Sequence, residues 1–199
     1  MPRVKPLDRK DLAEFEPFFE VIEQTMGFVP NSMLTLGRAP DLLTAFSGLA
    51  GTVLMSGKLA PDLKQLVAFV ASNAAGCRYC QAHTSHSARR LGVDAAKIDA
   101  TFEFETSDLF TDAERAALRL ARAASVVPNE TNDEHFAALR PYFGDEEIVE
   151  LVAVISLFGW LNRWNDTMAT ALERGPLAFA ASELGDRGWS AGKHDPDPA

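Results

Sequence analysis

The sequence predicts an all-α protein, and three observations predict it. Apolar residues recur at three- and four-residue steps through nearly every segment, Pro, Gly and capping residues punctuate those segments, and no stretch alternates at period two for long enough to nominate a strand. A chain of 199 residues buries a core of ordinary size without disulfide or metal staples. One helical domain is expected over residues 1–184.

Taken in order, "DLAEFEPFFEVIEQTMG" carries Leu12, Phe15, Phe19, Ile22 and Met26 on one helical face before Gly27 stops it. Pro30 and Asn31 then make a turn. A second helix is expected after Pro40, with Leu42, Leu43, Phe46, Leu49, Val53 and Leu54 inward and Gly57 as its stop, and a third from Pro61 and Asp62 to Gly76. Thr111 with Glu114, and Thr131 with Glu134, have the spacing of capping boxes and mark two later helix starts. The last long element opens on the acidic run at Asp145, closes at Gly175 and Pro176, and is apolar nearly all round in its first half, so a central buried helix is expected there. The tail, residues 185–199, is rich in Gly, Pro and Asp and is expected to be loosely ordered, with Trp189 as an anchor on this or a neighbouring subunit. A faint internal repeat lays "QLVAFVASNAAGCRYC" over "ELVAVISLFGWLNRWN", with Cys77 and Cys80 falling on Asn162 and Asn165.

The net charge of −9 and pI near 4.9 argue against nucleic acid or an anionic membrane as partner, since both are bound through clustered Lys and Arg. No apolar run approaches the length of a bilayer span, and "MPRVKPLDRK" lacks the apolar centre of a signal peptide, so a soluble cytoplasmic protein is expected.

Both cysteines and two of the four histidines fall within "AAGCRYCQAHTSH". If this stretch is helical after Gly76, Cys77, Cys80 and His83 lie three apart on one face. Cys77 then sits in the first turn, where unpaired N–H groups and the positive end of the dipole favour a thiolate. His83 is within reach of Cys80, where an imidazole can take the thiol proton. Zinc held by Cys77, Cys80, His83 and His86 together is excluded: along one straight helix the ends of that set are ~13 Å apart, whereas every ligand must lie within ~2.0–2.3 Å of the metal. A two- or three-ligand site completed by another segment stays open. So does the bland reading, in which Cys77 and Cys80 are two small buried hydrophobes.

"GCRYCQAH", preceded by "PDLKQLVAFVASNAA", resembles the alkylhydroperoxidase AhpD-like, peroxidase-related branch of the carboxymuconolactone decarboxylase family, and the flanks "GFVPNSMLTLGRAPDLLTAF" and "LVAVISLFGWLNRW" are similar to the same proteins. The resemblance implies a helical bundle assembled into homo-oligomers that reduces an organic hydroperoxide without organic cofactor or metal. It implies attack by Cys80, resolution by Cys77 as a disulfide, proton transfer by a histidine and a glutamate, and regeneration by an external dithiol. Here the histidine is His83, one position earlier than in the better-known members, which would have it at Thr84. The expected glutamate is Gln65, an amide that cannot relay a proton by titrating. Glu150, the matching position in the faint repeat, is a candidate substitute. Tyr79 between the cysteines is a candidate for shaping the pocket, Phe158, Trp160 and Trp164 for core or interface, and Asn162, Arg163 and Asp166 for a buried polar network. The rival readings are a lyase of the decarboxylase branch that is indifferent to its thiols, a disulfide-exchange enzyme, and a non-catalytic helical assembly.

Overall fold

The computed structural model describes residues 1–197 and, among them, ten α-helices and no strand. The chain begins with a 3₁₀ turn, Arg9–Phe15, that runs into α1, Glu16–Met26. Leu12, Phe15 and Phe19 are its buried stripe, and Gly27 caps it in the left-handed region at φ 88°. There follow α2 (Asn31–Leu36), α3 (Pro40–Met55), α4 (Pro61–Ala74), α5 (Arg78–Arg90), α6 (Ala95–Asp99), α7 (Asp112–Ser125), α8 (Asp133–Leu139), α9 (Asp145–Met168) and α10 (Arg174–Glu183).

The core is centred on α4, which packs against α5, α7 and α9. Its run Leu66–Ser72 is buried without a break, so this helix is apolar all round over two turns, as a central helix requires. A second cluster joins Leu12, Phe15, Phe19, Met33, Leu36, Leu43 and Phe46 to Leu157 of α9. There Phe46, Trp160 and Trp164 stack in series, with ring centroids 5.0 and 5.2 Å apart.

Several sequence expectations shift in detail. On α3 only Leu43 and Phe46 are buried, whereas Leu42 and Leu49 are 40% and 55% exposed. The Thr111–Glu114 capping box forms as expected. The next helix, however, is capped by Asn132, whose side chain accepts from Glu134 and His135 N–H, while Thr131 donates to Asn129. The long C-terminal element ends earlier than expected, at Met168, because Ala169 turns left-handed at φ 49°, and Gly175 and Pro176, expected as its stop, lie in the first turn of α10. The stretches aligned by the faint repeat also differ. Residues 150–165 lie within unbroken α9, whereas 65–80 span the end of α4, a turn at Gly76 with φ 75°, and the start of α5.

Within the tail, residues 185–199, of which 198–199 lie outside the described residues, Trp189 and His194 are buried. The Trp189 indole N–H donates to Arg78 O at 3.3 Å, and Leu172 N–H donates to His194 O at 2.8 Å. Trp189 thus anchors the segment on its own chain, across the start of α5.

One buried charge ties α3, α4 and α9 together. The Lys64 ammonium, 2% exposed, donates to Val53 O at 2.9 Å and Ser56 O at 2.5 Å, at the C-terminal end of α3, and pairs with Glu150 at 3.5 Å. Cations belong at that end of a helix. Glu150 in turn accepts from Lys58 and Leu59 N–H at 2.7 and 3.0 Å. Burial works to raise its carboxyl, but those donors and Lys64 outweigh burial and hold it below the ordinary range. Glu150 is therefore a structural pin and not the substitute acid. Lys64→Ala leaves the Val53 and Ser56 carbonyls without their donor and is expected to cost about 1–3 kcal/mol in chemical denaturation. Leu49→Ala, on the exposed side of α3, should stay within about 0.5 kcal/mol.

Candidate active site

The corner between α4 and α5 builds the site. Gly76 supplies the left-handed residue that turns the chain, a conformation that costs a residue with a Cβ about 1–2 kcal/mol. Cys77 is the N-cap of α5: its backbone is extended, and its sulfur accepts the Cys80 N–H at 3.5 Å. The helix begins one residue later than expected, yet Cys77, Cys80 and His83 still share the face of its first turns. Both cysteines are free thiols, 1% and 3% exposed.

The two thiols are driven apart electrostatically. The Cys80 thiol donates toward Cys77 and pulls the Cys77 pKa below the ordinary thiol value, with backbone N–H groups at the helix start adding to this against the opposing effect of burial. Cys80 is pushed well up, first by burial and then by its role as donor to Cys77. The one group that eases Cys80 is Asn165 of α9, whose amide donates to its sulfur at 3.6 Å.

The acid missing at Gln65 enters from elsewhere. Glu173, in the connection between α9 and α10, receives His83 Nε2 at 2.5 Å, the Tyr79 hydroxyl at 3.0 Å and the Asn31 backbone N–H at 2.5 Å. A carboxylate only accepts, so His83 carries a hydrogen on Nε2 toward Glu173. Burial acts to raise the Glu173 carboxyl, but the His83 ring and the Asn31 N–H outweigh it, and the pKa lies below the ordinary range. Tyr79 is pushed well above its ordinary value by burial and by the neighbouring Glu173, and so remains a donor. Tyr79 stacks on His83 with centroids 4.1 Å apart, and Phe28 meets the same ring edge-on at 5.3 Å. His83 is thus held by a hydrogen bond and by two aromatic rings.

His86 lies a turn further on, half-buried against Phe28 and Phe179, and its pKa is lowered chiefly by burial. It takes no part in the Glu173 cluster. Of the expected polar network on α9, Asn162 is buried with its amide unpartnered, Arg163 bonds to Gly159 O at the surface, and Asp166 pairs with Lys193. Those three do not form one network. The surface hollows lined by Gly57, Lys58, Val149 and Glu150 and by Leu42, Phe46, Leu49 and Trp160 do not reach the cysteines. No helix among the described residues is long and apolar enough to cross a membrane.

Glu173 lay beyond the reach of sequence reasoning, because it follows Cys77 by more than ninety positions and the segment that holds it carries no stop signal ahead of it. Its neighbours Gly175 and Pro176 hinted only at the end of a helix.

Comparison with known proteins bears on this arrangement. The carboxymuconolactone decarboxylase family matches residues 40–123, a span that holds both cysteines. The uncharacterized protein YnjA of Escherichia coli (strain K12) is 30% identical over 133 residues, 66% of this chain and 73% of that protein. The crystal structure of the debrominase Bmp8 in its apo form has a TM-score of 0.84 at 44% identity, covering 88% of this chain and 95% of that one. A cysteine-to-alanine variant of Bmp8 in complex with 2,3,4-tribromopyrrole gives 0.85 at 42% identity, covering 90% and 96%. An alkylhydroperoxidase AhpD core, a peroxidase-related protein from Ralstonia eutropha JMP134, shares the fold with a TM-score of 0.79 at 24% identity, covering 90% and 95%. With a helical fold of the AhpD-like kind and its cysteines inside the matched span, the chain belongs to the carboxymuconolactone decarboxylase family.

Proposed function

We propose that this chain is an enzyme, a dithiol oxidoreductase that passes two electrons from Cys77 and Cys80 to an electrophilic atom of its substrate and closes a Cys77–Cys80 disulfide. One observation carries the reading. Within a single helical turn the backbone N–H of Cys80 donates to Cys77 Sγ, and the next turn presents His83 fixed by Glu173.

The resemblance implied attack by Cys80. The geometry favours the reverse, because Cys77 Sγ sits at the N-cap and already accepts a helix N–H, where negative charge is stabilised. Cys77 then attacks and Cys80 resolves. His83 moves the proton, and Glu173 and Tyr79 position it. A histidine in this role contributes about 10²–10⁴-fold.

The substrate class favoured by the 44% identity with a debrominase is a halogenated aromatic or heteroaromatic ring. The Cys77 thiolate takes the halogen as a positive fragment, leaving the ring carbon with the bonding pair to collect a proton by way of His83. The Cys80 sulfur then displaces halide from Cys77, and two thiols and one carbon–halogen bond become a disulfide, a carbon–hydrogen bond and hydrogen halide. Phe28 and Tyr79 against His83, with Phe28 and Phe179 against His86, suit a flat ring. The second reading is the hydroperoxide expected from the sequence. Cys77 would take one peroxide oxygen as a sulfenic acid and release an alcohol, and Cys80 would expel water to form the same disulfide. An external dithiol would restore the thiols in either case. Self-association would cover the exposed Leu49, Met55 and Val149.

Single-turnover mixing of reduced protein with a brominated pyrrole, and separately with an organic hydroperoxide, tests the reading. Loss of both thiols much faster than from free cysteine, with one halide or one alcohol released per disulfide, is expected for the true substrate class. Rates no faster than free cysteine for both would end the proposal, and a lyase activity that survives loss of both cysteines would replace it. Cys80→Ser is expected to complete one attack and stop with an oxidised Cys77, whereas Cys77→Ser should not react. The opposite pattern would return the attack to Cys80.

Glu173→Gln should slow the first step by about 10-fold or more, a fraction of the general-acid–base contribution. It should also change acid stability. The Glu173 carboxyl is held below its ordinary range, so its contribution is present above that range and lost as pH falls through the lowered value. Below about pH 4, wild-type denaturation midpoints should therefore fall more steeply with acidity than those of Glu173→Gln.

A further inference from the structure

Cys77 also faces a group that the reaction above does not use. Its sulfur, a carboxylate oxygen of Asp166 at the end of α9 and a ring nitrogen of His194 in the C-terminal segment all lie within 4.8 Å of one another. His194 is fully buried. Its Nδ1 lies 2.8 Å from Thr170 O, and a carbonyl only accepts, so Nδ1 carries the hydrogen and Nε2 the lone pair. That Nε2 has no hydrogen-bond partner. Its charged neighbour is Asp166 Oδ1 at 3.6 Å, whereas Asp166 Oδ2 is held by Lys193 Nζ at 2.8 Å.

Three potential ligand atoms therefore converge, an imidazole lone pair, a carboxylate oxygen and the sulfur that begins α5, and the Cys77 S–H is the single donor hydrogen among them. Lone pairs facing one another in a buried place repel unless a proton or a cation lies between them. A proton joins two such atoms, whereas a metal ion joins three. Tetrahedral zinc, with bonds of about 2.0–2.3 Å, sets its ligand atoms about 3.3–3.8 Å apart, so the three need draw in by only about 1 Å. The hydrogen bond from Nδ1–H to a backbone carbonyl is also the arrangement that orients metal-bound imidazoles. Thiolate, imidazole and carboxylate together select a thiophilic ion over magnesium or calcium.

We propose that Cys77, Asp166 and His194 bind a thiophilic divalent cation of the zinc class, with its fourth position open, and that the ion masks Cys77 and clasps the C-terminal segment against the start of α5. The metal–sulfur bond forms as the Cys77 thiol gives its proton to solvent, and no electrons change hands. In the disulfide the same sulfur is tied to Cys80, so metal binding and oxidation exclude each other. The ion thus holds the reduced protein in an unreactive reserve. The binding stands apart from the proposed reaction, and only the masking rests on Cys77 as the reactive thiol.

Titration of the reduced full-length protein with Co²⁺, followed by displacement with Zn²⁺, reads the site without any turnover. One Co²⁺ per chain is expected, with sulfur-to-cobalt charge-transfer absorption and the visible bands of four-coordinate cobalt. Asp166→Asn and His194→Gln should each weaken binding by about 10-fold or more, Cys77→Ser should lose the charge-transfer band, and the disulfide form should not bind. With Zn²⁺ bound, iodoacetamide should alkylate Cys77 about 10-fold more slowly, and a chelator should restore the rate. Because Asp166 is part-exposed and Asn keeps its shape, that variant decides the matter if His194→Gln fails to fold by circular dichroism. Absence of the charge-transfer band in folded reduced protein, or its survival unchanged in Asp166→Asn, would overturn the proposal. Failure of the halide or peroxide reaction alone would leave it standing.

Discussion

A carboxylate taken out of water has to be met by donors, and Glu173 is met by three from different parts of the chain: the Asn31 N–H at the start of α2, the Tyr79 hydroxyl and the His83 ring on α5. The Asn31 side chain adds a bond to Ala171 O at 3.0 Å in the same connection. The N-terminal helices, the cysteine helix and the break between α9 and α10 are thereby pinned to one atom group. Without it, an imidazole, a phenol and a backbone N–H would face an apolar interior, and each would bear the full cost of desolvation. The same interaction fixes the orientation of the His83 ring, so the group that stabilises the fold also sets which way that imidazole faces.

Two forces compete at the thiols. Burial disfavours a thiolate at either position, and the start of α5 favours one at Cys77 through its N–H groups. At Cys77 the neighbouring Cys80 side chain, with the helix N–H groups adding to it, outweighs burial, whereas at Cys80 burial wins. The two thiols are thereby unequal. They are nonetheless 1% and 3% exposed, so a substrate reaches them only when a covering element moves. The segment carrying Trp189 and His194 lies across the start of α5, held there by Trp189 on Arg78 O and His194 on Thr170 O.

Much of this was legible in one dimension. Helical period, Pro at helix starts and Gly at their ends placed α3, α4 and the cysteine turn to within a residue or two, because these are local matters of backbone conformation and capping. The grouping of Cys77, Cys80 and His83 followed from a three-residue spacing alone. The shift of a cap from Thr131 to Asn132 shows the limit of even a local rule, since two adjacent residues can offer the same oxygen. The exposure of Leu42 and Leu49 shows another: periodicity says which residues share a face, and only a neighbouring helix says whether that face is covered.

What the sequence by itself determined is the all-α class, the corner at Gly76 and the thiol pair at the start of its helix, all set by contacts within a few residues. What only the tertiary structure decided is the source of the acid and the fate of Cys77's surroundings. Ala169 takes a left-handed conformation that nothing in its neighbourhood announces, and this break carries Glu173 to His83 and returns the tail so that His194 meets Asp166 and Cys77. Glu150, the candidate substitute on paper, went to Lys64 instead. Charge at a distance along the chain carries no direction. A buried carboxylate finds its donors only once packing has fixed which helices are neighbours.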